Sequence, residues 1–546
     1  MTDIPSTQHA IQYVGKDEIV HNTNKPVDQV GPTQLLLKVE ACGICFSDTK
    51  LLHQFDVHPR KVEVIAGLTP QELATIPSYK PGAEPTVPGH EPVCRVVAVG
   101  DQVTHFKLGD RVLVQADWKH MRTPTSNGSF GYAFEGALQE YVLVDERIVV
   151  HDGEEYLIQV SEGPTSAQVG LIEPWATVEN AYAWKERQGR KAGGNLLVVA
   201  DAGVAVASLA GGPTPGHALV LGTDAAALGI EATAIESLDG LAVQSLDDIV
   251  YFGSDAATIE ALGELLGNRG LLAVVLDGKK IDRAVSIDMG RIHYDFIRFV
   301  GTLGADPADA YAMIPEGTEV RDGDKMMVIG AAGPMGLMHT MRAVVLGKKK
   351  LSIDCTDVSD DRLEHLRDVI APVAADRGVG VHFINSAQTA LARGYTYVTC
   401  MVPSTQLLAM GVDLSGEGAI VNLFAGLPAG THGEVDLQGM IERRVFLAGT
   451  SGSDIVDMRT VLSKIENGDY DTSISLDAVT GMAGFADAIQ AVMDRTSGGK
   501  IMVYPSLHDL PLIRVVDMPK KLPEVAALLR DGVWTPEAEK ALLALA

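Results

Sequence analysis

The chain has 546 residues, 46% of them apolar and 21% charged, the composition of a water-soluble protein able to build about three cores at ~150 residues per domain. Its formal net charge of −27, with no long Lys/Arg cluster, excludes a nucleic acid or other polyanion as partner. No apolar run reaches the ~18–20 residues that span a bilayer, the first twenty residues lack a signal pattern, and five cysteines form an odd set. A cytoplasmic protein with reduced thiols and no membrane partner is expected.

Residues 31–150 predict a β-rich region: QLLLKVEAC, CRVVAVG, DRVLVQAD and ALQEYVLVD are short apolar runs punctuated by Gly and Asp, with FKLGD as a turn. Antiparallel strands of this length suit a partly open barrel. A Pro-rich insert at 52–88 interrupts them. ACGICFSDTKLL (41–52) precedes the insert and VPGHEPVCRVVAVG (87–100) follows it, bringing Cys45, His90 and Glu91. These are soft and borderline ligands suited to zinc, and Glu173, in GLIEPWATV, is a further carboxylate near a helix start. Three protein ligands and an open fourth position are the pattern of a catalytic zinc. Each residue alone is unremarkable; their occurrence with a nucleotide loop in one chain is what points to a metal.

From about 164 the pattern turns helical, and beyond 190 strands alternate with helices, the sign of a parallel sheet. The alternation occurs twice. LLVVADAG (196–203) matches MMVIGAAG (326–333) at an offset of 130, and GLLAVVLDGKK (270–280) matches GAIVNLFAGLP (418–428) at 148. Gly301-Thr302 falls on Gly449-Thr450 at the same 148. Residues ~190–305 and ~306–455 are therefore read as duplicated units, the second 18 residues longer. In the first, a turn at Ala202-Gly203 and a small-residue helix are expected after the strand. GGKIMVYP (498–505) predicts a last strand and LPEVAALLRDG a helical tail.

In the second unit, strand, Gly-rich turn and helix follow one another, with Gly330, Gly333 and Gly336 in a G-x-x-G-x-x-G spacing and Pro334 and Met335 between. Glycines at these places permit a tight turn, close approach to a pyrophosphate and close helix–strand packing, while the helix N-terminus offers free N–H groups. Asp357, 21 residues after Gly336, ends the next strand, where an acid accepts from a ribose 2′-OH and repels a 2′-phosphate. NAD is favoured over NADP, with Asp354 the rival acid. In the first unit Gly330 and Gly336 become Ala200 and Val206, and Asp201 puts a negative charge at the anion position, so that copy is read as degenerate and non-binding.

GICFSD, PGHEPV…VVAVG, FKLGDRV, the EP of IEPWA and VIGAAGPMGL, in this order, resemble the zinc-dependent medium-chain alcohol/polyol dehydrogenases. ACGICFSDTKLL, the long spacer before PGHE and the tail GGKIMVYPSLHDLPLI resemble most the branch of L-sorbose 1-phosphate reductase and sorbitol dehydrogenase-like proteins. The resemblance covers about 1–185 and 306–546. It implies a GroES-like barrel domain at 1–189, completed by 456–546, and an NAD-binding Rossmann domain at 306–455, while 190–305, the degenerate extra copy read from the repeat, has no place in the family pattern. It further implies one catalytic zinc on Cys45 and His90, with Glu173 and Glu91 supplying or exchanging the third ligand. Ser47 would pass the substrate proton outward, Asp48 would orient His90, and Gly330, Gly333, Gly336 and Asp357 would hold NAD. Cys42 would be a packed strand residue. Lys50 stands where many relatives continue the proton relay with a histidine, and the usual lobe of four cysteines is absent.

The expected activity is hydride transfer between NAD(H) and a secondary alcohol or ketone of a polyol, sugar or sugar phosphate, in a homodimer or homotetramer built by strand-edge pairing. Two other readings stay open: a non-catalytic or regulatory dinucleotide-binding protein, and a zinc-free quinone-type reductase. Lys119, His120, Arg122, His53 and His58 are candidate phosphate contacts or plain surface charges.

Overall fold

In the computed structural model, which describes residues 4–530 and 532–545, strand β1 (Gln34–Ile44) is the spine of the β-rich part. Leu35, Leu37 and Val39 point inward at the period of two that a strand imposes, and join the core with Val96, Val112 and Val114. Helix α1 (Phe46–Gln54) follows β1 directly, and β2 (Glu91–Val99) pairs β1 antiparallel, Gly43 opposite Glu91. The eight-stranded sheet runs Ile513–Arg514, Leu476–Thr480, Lys500–Val503, β1, β2, Arg111–Val114 and Leu157–Gln159, with Tyr141–Asp145 also on β1. Helix α2 spans Ile172–Ala183.

The insert is fastened from within. Lys61, fully buried, donates through Nζ to the carbonyls of Lys80 (2.9 Å), Gly82 (2.6 Å) and Glu84 (2.7 Å). Three charge-assisted bonds to one ammonium tie the two ends of a segment that has little regular structure of its own.

The chain divides into two compact units, 1–177 with 453–546, and 178–452. The second unit holds two six-stranded sheets. The first consists of β3 (Asn195–Ala200), β4 (His217–Leu221), β5 (Thr233–Ala234), β6 (Leu246–Phe252) and β7 (Leu266–Val275); then, after β8 (Val285–Asp288) and helix α3 (Met289–Tyr294), comes β9 (Arg298–Thr302). The second consists of β10 (Lys325–Ile329), helix α4 (Pro334–Leu346), β11 (Ser352–Asp357), β12 (Gly380–Asn385), β13 (Tyr395–Cys400) and β14 (Ser415–Leu423). After β15 (His432–Val435) and helix α5 (Leu437–Arg443) it closes with β16 (Phe446–Gly449). Their orders are β5-β4-β3-β6-β7-β9 and β12-β11-β10-β13-β14-β16, all pairs parallel. Both are the doubly wound dinucleotide-binding topology.

The hydrogen-bond register corrects the alignment of the copies by one residue. Leu196 lies beside Asp248 and Asp248 beside Leu271, whereas Met326 lies beside Tyr397 and Tyr397 beside Ile420. Leu271 is thus equivalent to Ile420, an offset of 149, and the offset returns to 148 at Arg298 and Phe446. Arg269 and Gly418, equivalent at 149, share left-handed φ values of 59° and 64°.

A second correction concerns the small-residue helix expected after β3. Residues 201–216 form turns and extended chain with no helix. Between Gly203 and the Gly211-Gly212-Pro213 stop there is room for about two turns, two positions are β-branched (Val204 and Val206), and so short a helix does not sustain itself. Val204, Val206 and Ala207 pack instead as loop residues on Leu196, Val198 and Val250. In the second copy α4 runs for 13 residues.

Candidate functional site

Cys45 is the N-cap of α1, and Asp48, at the third helical position, accepts from Cys45 N through Oδ2 at 2.8 Å. This capping arrangement fixes the turn that presents the thiol. The other Asp48 oxygen, Oδ1, lies 3.3 Å from His90 Nδ1, so one buried carboxylate caps the helix and orients the imidazole. His90 Nε2 faces the other way, 3.3 Å from Ser47 Oγ, and that hydroxyl donates to Cys45 Sγ at 2.9 Å. Asp48 and Ser47 therefore both lie against the pair of Cys45 and His90.

Cys45, His90 and Glu91 each offer a ligand atom within 4.8 Å of the others. Glu91 is fully buried, and a Cβ on Gly43 would run into its Oε2, which is why ACGIC carries glycine there. Among the described residues Oε2 has no hydrogen-bond partner. Thiolate, imidazole and carboxylate, with a buried acceptor left over, fit a zinc ion. Glu173 stands outside this group of three, and its carboxyl pKa is raised to about 7 by burial and by the facing Glu91. Burial pushes the His90 imidazole towards neutrality, but Tyr132, Asp48 and Cys45 reverse the sign and hold its pKa well above the usual value.

Sequence reasoning missed Lys500. In KIMV it looks like a solvent-facing charge, yet it is buried and donates through Nζ to Glu91 Oε1 at 2.6 Å. Burial opposes its charge, while Glu91 and Cys45 hold its pKa above the ordinary lysine value. Lys500→Met would leave the Glu91 carboxylate buried without its cation. The expected result is a loss of about 3–5 kcal/mol in the metal-free chain, read as a lower unfolding midpoint with a chelator present.

Glu173 makes a second prediction. Its folded pKa exceeds its unfolded value of 4.5, so its contribution to stability is full below pH 4.5 and is lost as pH rises through about 7. In Glu173→Gln the fall in metal-free stability between those pH values should flatten, and denaturant titrations at several pH values measure it.

The insert contributes to the site's surroundings. His58 and Arg60 pack on the Tyr132 ring, at 5.0 and 5.7 Å, and Tyr132 lies 5.6 Å from the His90 ring. Of the proposed phosphate contacts, His58 alone is placed there. Lys119 pairs with Asp454, His120 stacks on His151, His53 bonds Asp17, and Arg122 is exposed. Lys50 lies with its Nζ 6.0 Å from the Phe46 ring centroid on the exposed side of α1. Cys42 is a buried strand residue.

In the second unit, Gly330 takes a φ of +77° directly after β10, and Gly333 caps α4 with Pro334 in its first turn. A Cβ on Gly336 would run into Gly330 O and Ala331, so the helix meets the strand through that glycine. Met335 lies in the same first turn. Asp357 ends β11, accepting from Val358 N and Ser359 N. Asp354, mid-strand, is taken up by Tyr395 Oη at 2.6 Å and His382 at 2.9 Å. Arg362, unnoticed in the sequence, lies 3.6 Å from Asp357 and 3.4 Å from the place of a Gly333 Cβ. In the first copy Asp201 accepts from Tyr251 Oη at 2.7 Å and Ser254 N at 3.3 Å, with no helix beside it.

Residues 31–153 match the alcohol dehydrogenase GroES-like domain. In this part the chain is similar to the zinc-type medium-chain alcohol dehydrogenases. Mannitol-1-phosphate 5-dehydrogenase of Aliivibrio fischeri is 28% identical over 41% of this chain and 57% of its own length. D-altritol 5-dehydrogenase of Agrobacterium fabrum is 36% identical over 19% of this chain and 24% of its own. The chain thus spans little more than half of the first of these relatives. The crystal structure of 2R,3R-butanediol dehydrogenase from Bacillus subtilis superposes with a TM-score of 0.53 at 15% identity, covering 91% of this chain and 100% of that one, a likeness of fold. A GroES-like barrel with Rossmann-type parallel sheets is the architecture of this chain. Among the described residues, no helix is long and apolar enough to cross a membrane.

Proposed function

We propose that this chain is a zinc-dependent oxidoreductase that transfers a hydride between NAD(H) and the secondary alcohol or ketone of a polyol, sugar or sugar phosphate. The observation that carries the reading is the cluster of Cys45, His90 and Glu91 with the Ser47 hydroxyl lying against it. A zinc ion held by these residues supplies Lewis acidity to the substrate oxygen. Cys45 and His90 are the fixed ligands in this reading, and Glu91 and Glu173 the two candidates for the third. Ser47 Oγ takes the hydroxyl proton as a general base relay, and Asp48 keeps His90 in the tautomer that leaves Nε2 free. Beyond Ser47 the proton would pass to solvent on the open side of α1, where Lys50 stands in place of the histidine that continues the relay in many relatives.

Gly330, Gly333, Gly336, Pro334 and Met335 supply the turn and helix start for the pyrophosphate. NAD rather than NADP rests on Asp357 at the strand end, which would repel a 2′-phosphate. Asp357→Ser, with Arg362 left in place, should improve NADP affinity relative to NAD by at least about tenfold, roughly 1.4 kcal/mol. Fluorescence titration with both reduced cofactors measures the ratio, and an unchanged ratio would remove Asp357 from the discrimination.

The placement near sorbose-phosphate reductases and sorbitol dehydrogenases is supported by the Cys45–His90 spacing and by the polyol-phosphate enzyme among the relatives. Five free thiols support a reducing, cytoplasmic setting. Zinc content of the purified chain, followed by a panel of polyols and ketose phosphates with NAD(H), tests the whole reading. A metal-free, fully active chain would favour the quinone-type alternative, and a zinc-bearing chain that binds nucleotide without turnover the regulatory one.

A further inference from the structure

The two sheets of the second unit meet through contacts that repeat under the sequence offset. β8 pairs antiparallel with β15: Val285 with Val435, Ser286 with Glu434, Ile287 with Gly433 and Asp288 with His432. Ser286 and Glu434 are counterparts at the offset of 148, so the ladder is centred on a residue facing its own twin. The reciprocity continues beyond the ladder. A Cβ on Gly301 would run into Ile441, and one on Gly449 would lie 3.0 Å from His293 Cα. Gly301 and Gly449 are twins, and so are His293 and Ile441. Gly290 would meet Ala429 N at 2.6 Å, while Gln438, its twin, accepts through Oε1 from Ile281 N, the twin of Ala429, at 2.9 Å.

When residue i of one half meets j of the other, and the twin of j meets the twin of i, the contact is isologous, the arrangement of a two-fold dimer. Three such relations at a single offset are hard to obtain from two units that merely touch. The contact is also a true core: Met289, Ile292, Val285, Val435, Leu437 and Met440 are fully buried. β9 and β16, the last strands of their sheets, flank it, and Arg298 crosses between them to donate to Gly449 O at 2.9 Å. An exposed edge strand is a template for another chain, and here each edge is covered by the other copy.

We infer that the first sheet is a tethered partner: within one chain it occupies the face on β15, α5 and β16 that an equal sheet from a second molecule would otherwise take. This holds whatever reaction the protein performs. It gives the first copy a use that survives the loss of its nucleotide loop, since α3 also braces the segment after β14. Asp288 Oδ2 accepts from Gly430 N at 2.8 Å, and the His293 imidazole meets Leu423 O at 3.2 Å. That segment follows the carboxyl end of a strand, the end at which parallel sheets bind ligands. The face expected to join subunits is therefore occupied inside the chain, through the β8–β15 ladder rather than through pairing of the edge strands β9 and β16.

The test is a pair of cysteines at the centre of the ladder, Ser286→Cys with Glu434→Cys, oxidised mildly in the full-length protein and run without reductant. A bond within one chain is expected, migrating as a single chain with altered mobility that each single variant lacks. Covalent dimers specific to the double variant would overturn the proposal, because the ladder would then run between molecules. Absence of any bond would overturn it too, because the two residues would not face each other. Hydrogen exchange on the unsubstituted chain guards against misfolding of the variant. The amides of β8 and β15 should stay protected at dilutions where light scattering gives the mass of one chain, and protection lost on dilution would refute the proposal.

Discussion

Replacing Cys45 by Ala is expected to abolish alcohol oxidation while leaving dinucleotide affinity nearly unchanged. Cys45 is the sulfur donor of the three-residue group and also receives the Ser47 hydroxyl at 2.9 Å, so in the proposed mechanism one substitution removes a ligand and unseats the proton relay. Losing a group that only orients a metal ligand typically costs ~10–100-fold, and losing the ligand itself should cost more. The local fold should survive, because Asp48 caps α1 through Cys45 N, a backbone group that alanine keeps. Three readings separate the causes: zinc per chain should fall towards zero, turnover should vanish, and NADH titration should be unaltered. A metal-depleted Cys45→Ala protein with full turnover would end the zinc mechanism. The contrast with Asp48→Asn is informative, since that change keeps all three donors and weakens only the orientation of His90, so activity should fall while zinc is largely retained.

The barrel strands were legible because their apolar runs alternate and end at Gly or Asp, as Leu35, Leu37 and Val39 show. The metal candidates were legible because Cys45 and His90 flank the two strands that the fold pairs, bringing together residues 45 positions apart. What escaped the sequence has physical reasons. A lysine in a strand reads as solvent-facing, and nothing local says that Lys500 faces a buried Glu91. Lys61 is hidden for the same cause, its partners being three backbone carbonyls rather than side chains. The helix wrongly expected after β3 had the right residue sizes but not the length, and pattern alone does not weigh length against nucleation. The one-residue slip in the alignment of the copies became visible through strand register, which sequence similarity does not encode.

Gly336→Val should cost the chain its nucleotide while sparing the metal group, the second large effect expected here. A Cβ at 336 would collide with Gly330 O and would stand 2.6 Å from Ala331 Cα, both backbone atoms of the turn itself. Backbone cannot step aside as a flexible side chain can, so α4 must withdraw from β10 and carry its N-terminal N–H groups away from the pyrophosphate. Overpacking of this kind costs about 1–3 kcal/mol in stability. The loss in affinity should reach at least about 100-fold, roughly 2.7 kcal/mol. The chain already contains the comparison: at the offset of 130 the first copy carries Val206, and there the helix is missing altogether. Binding titration should therefore show one equivalent of NADH per native chain and none in the variant, with zinc content equal in both. Retention of a full equivalent by the Gly336→Val protein would mean that the dinucleotide sits elsewhere, and the loop over the first sheet, with Asp201 held by Tyr251, would then have to be its site.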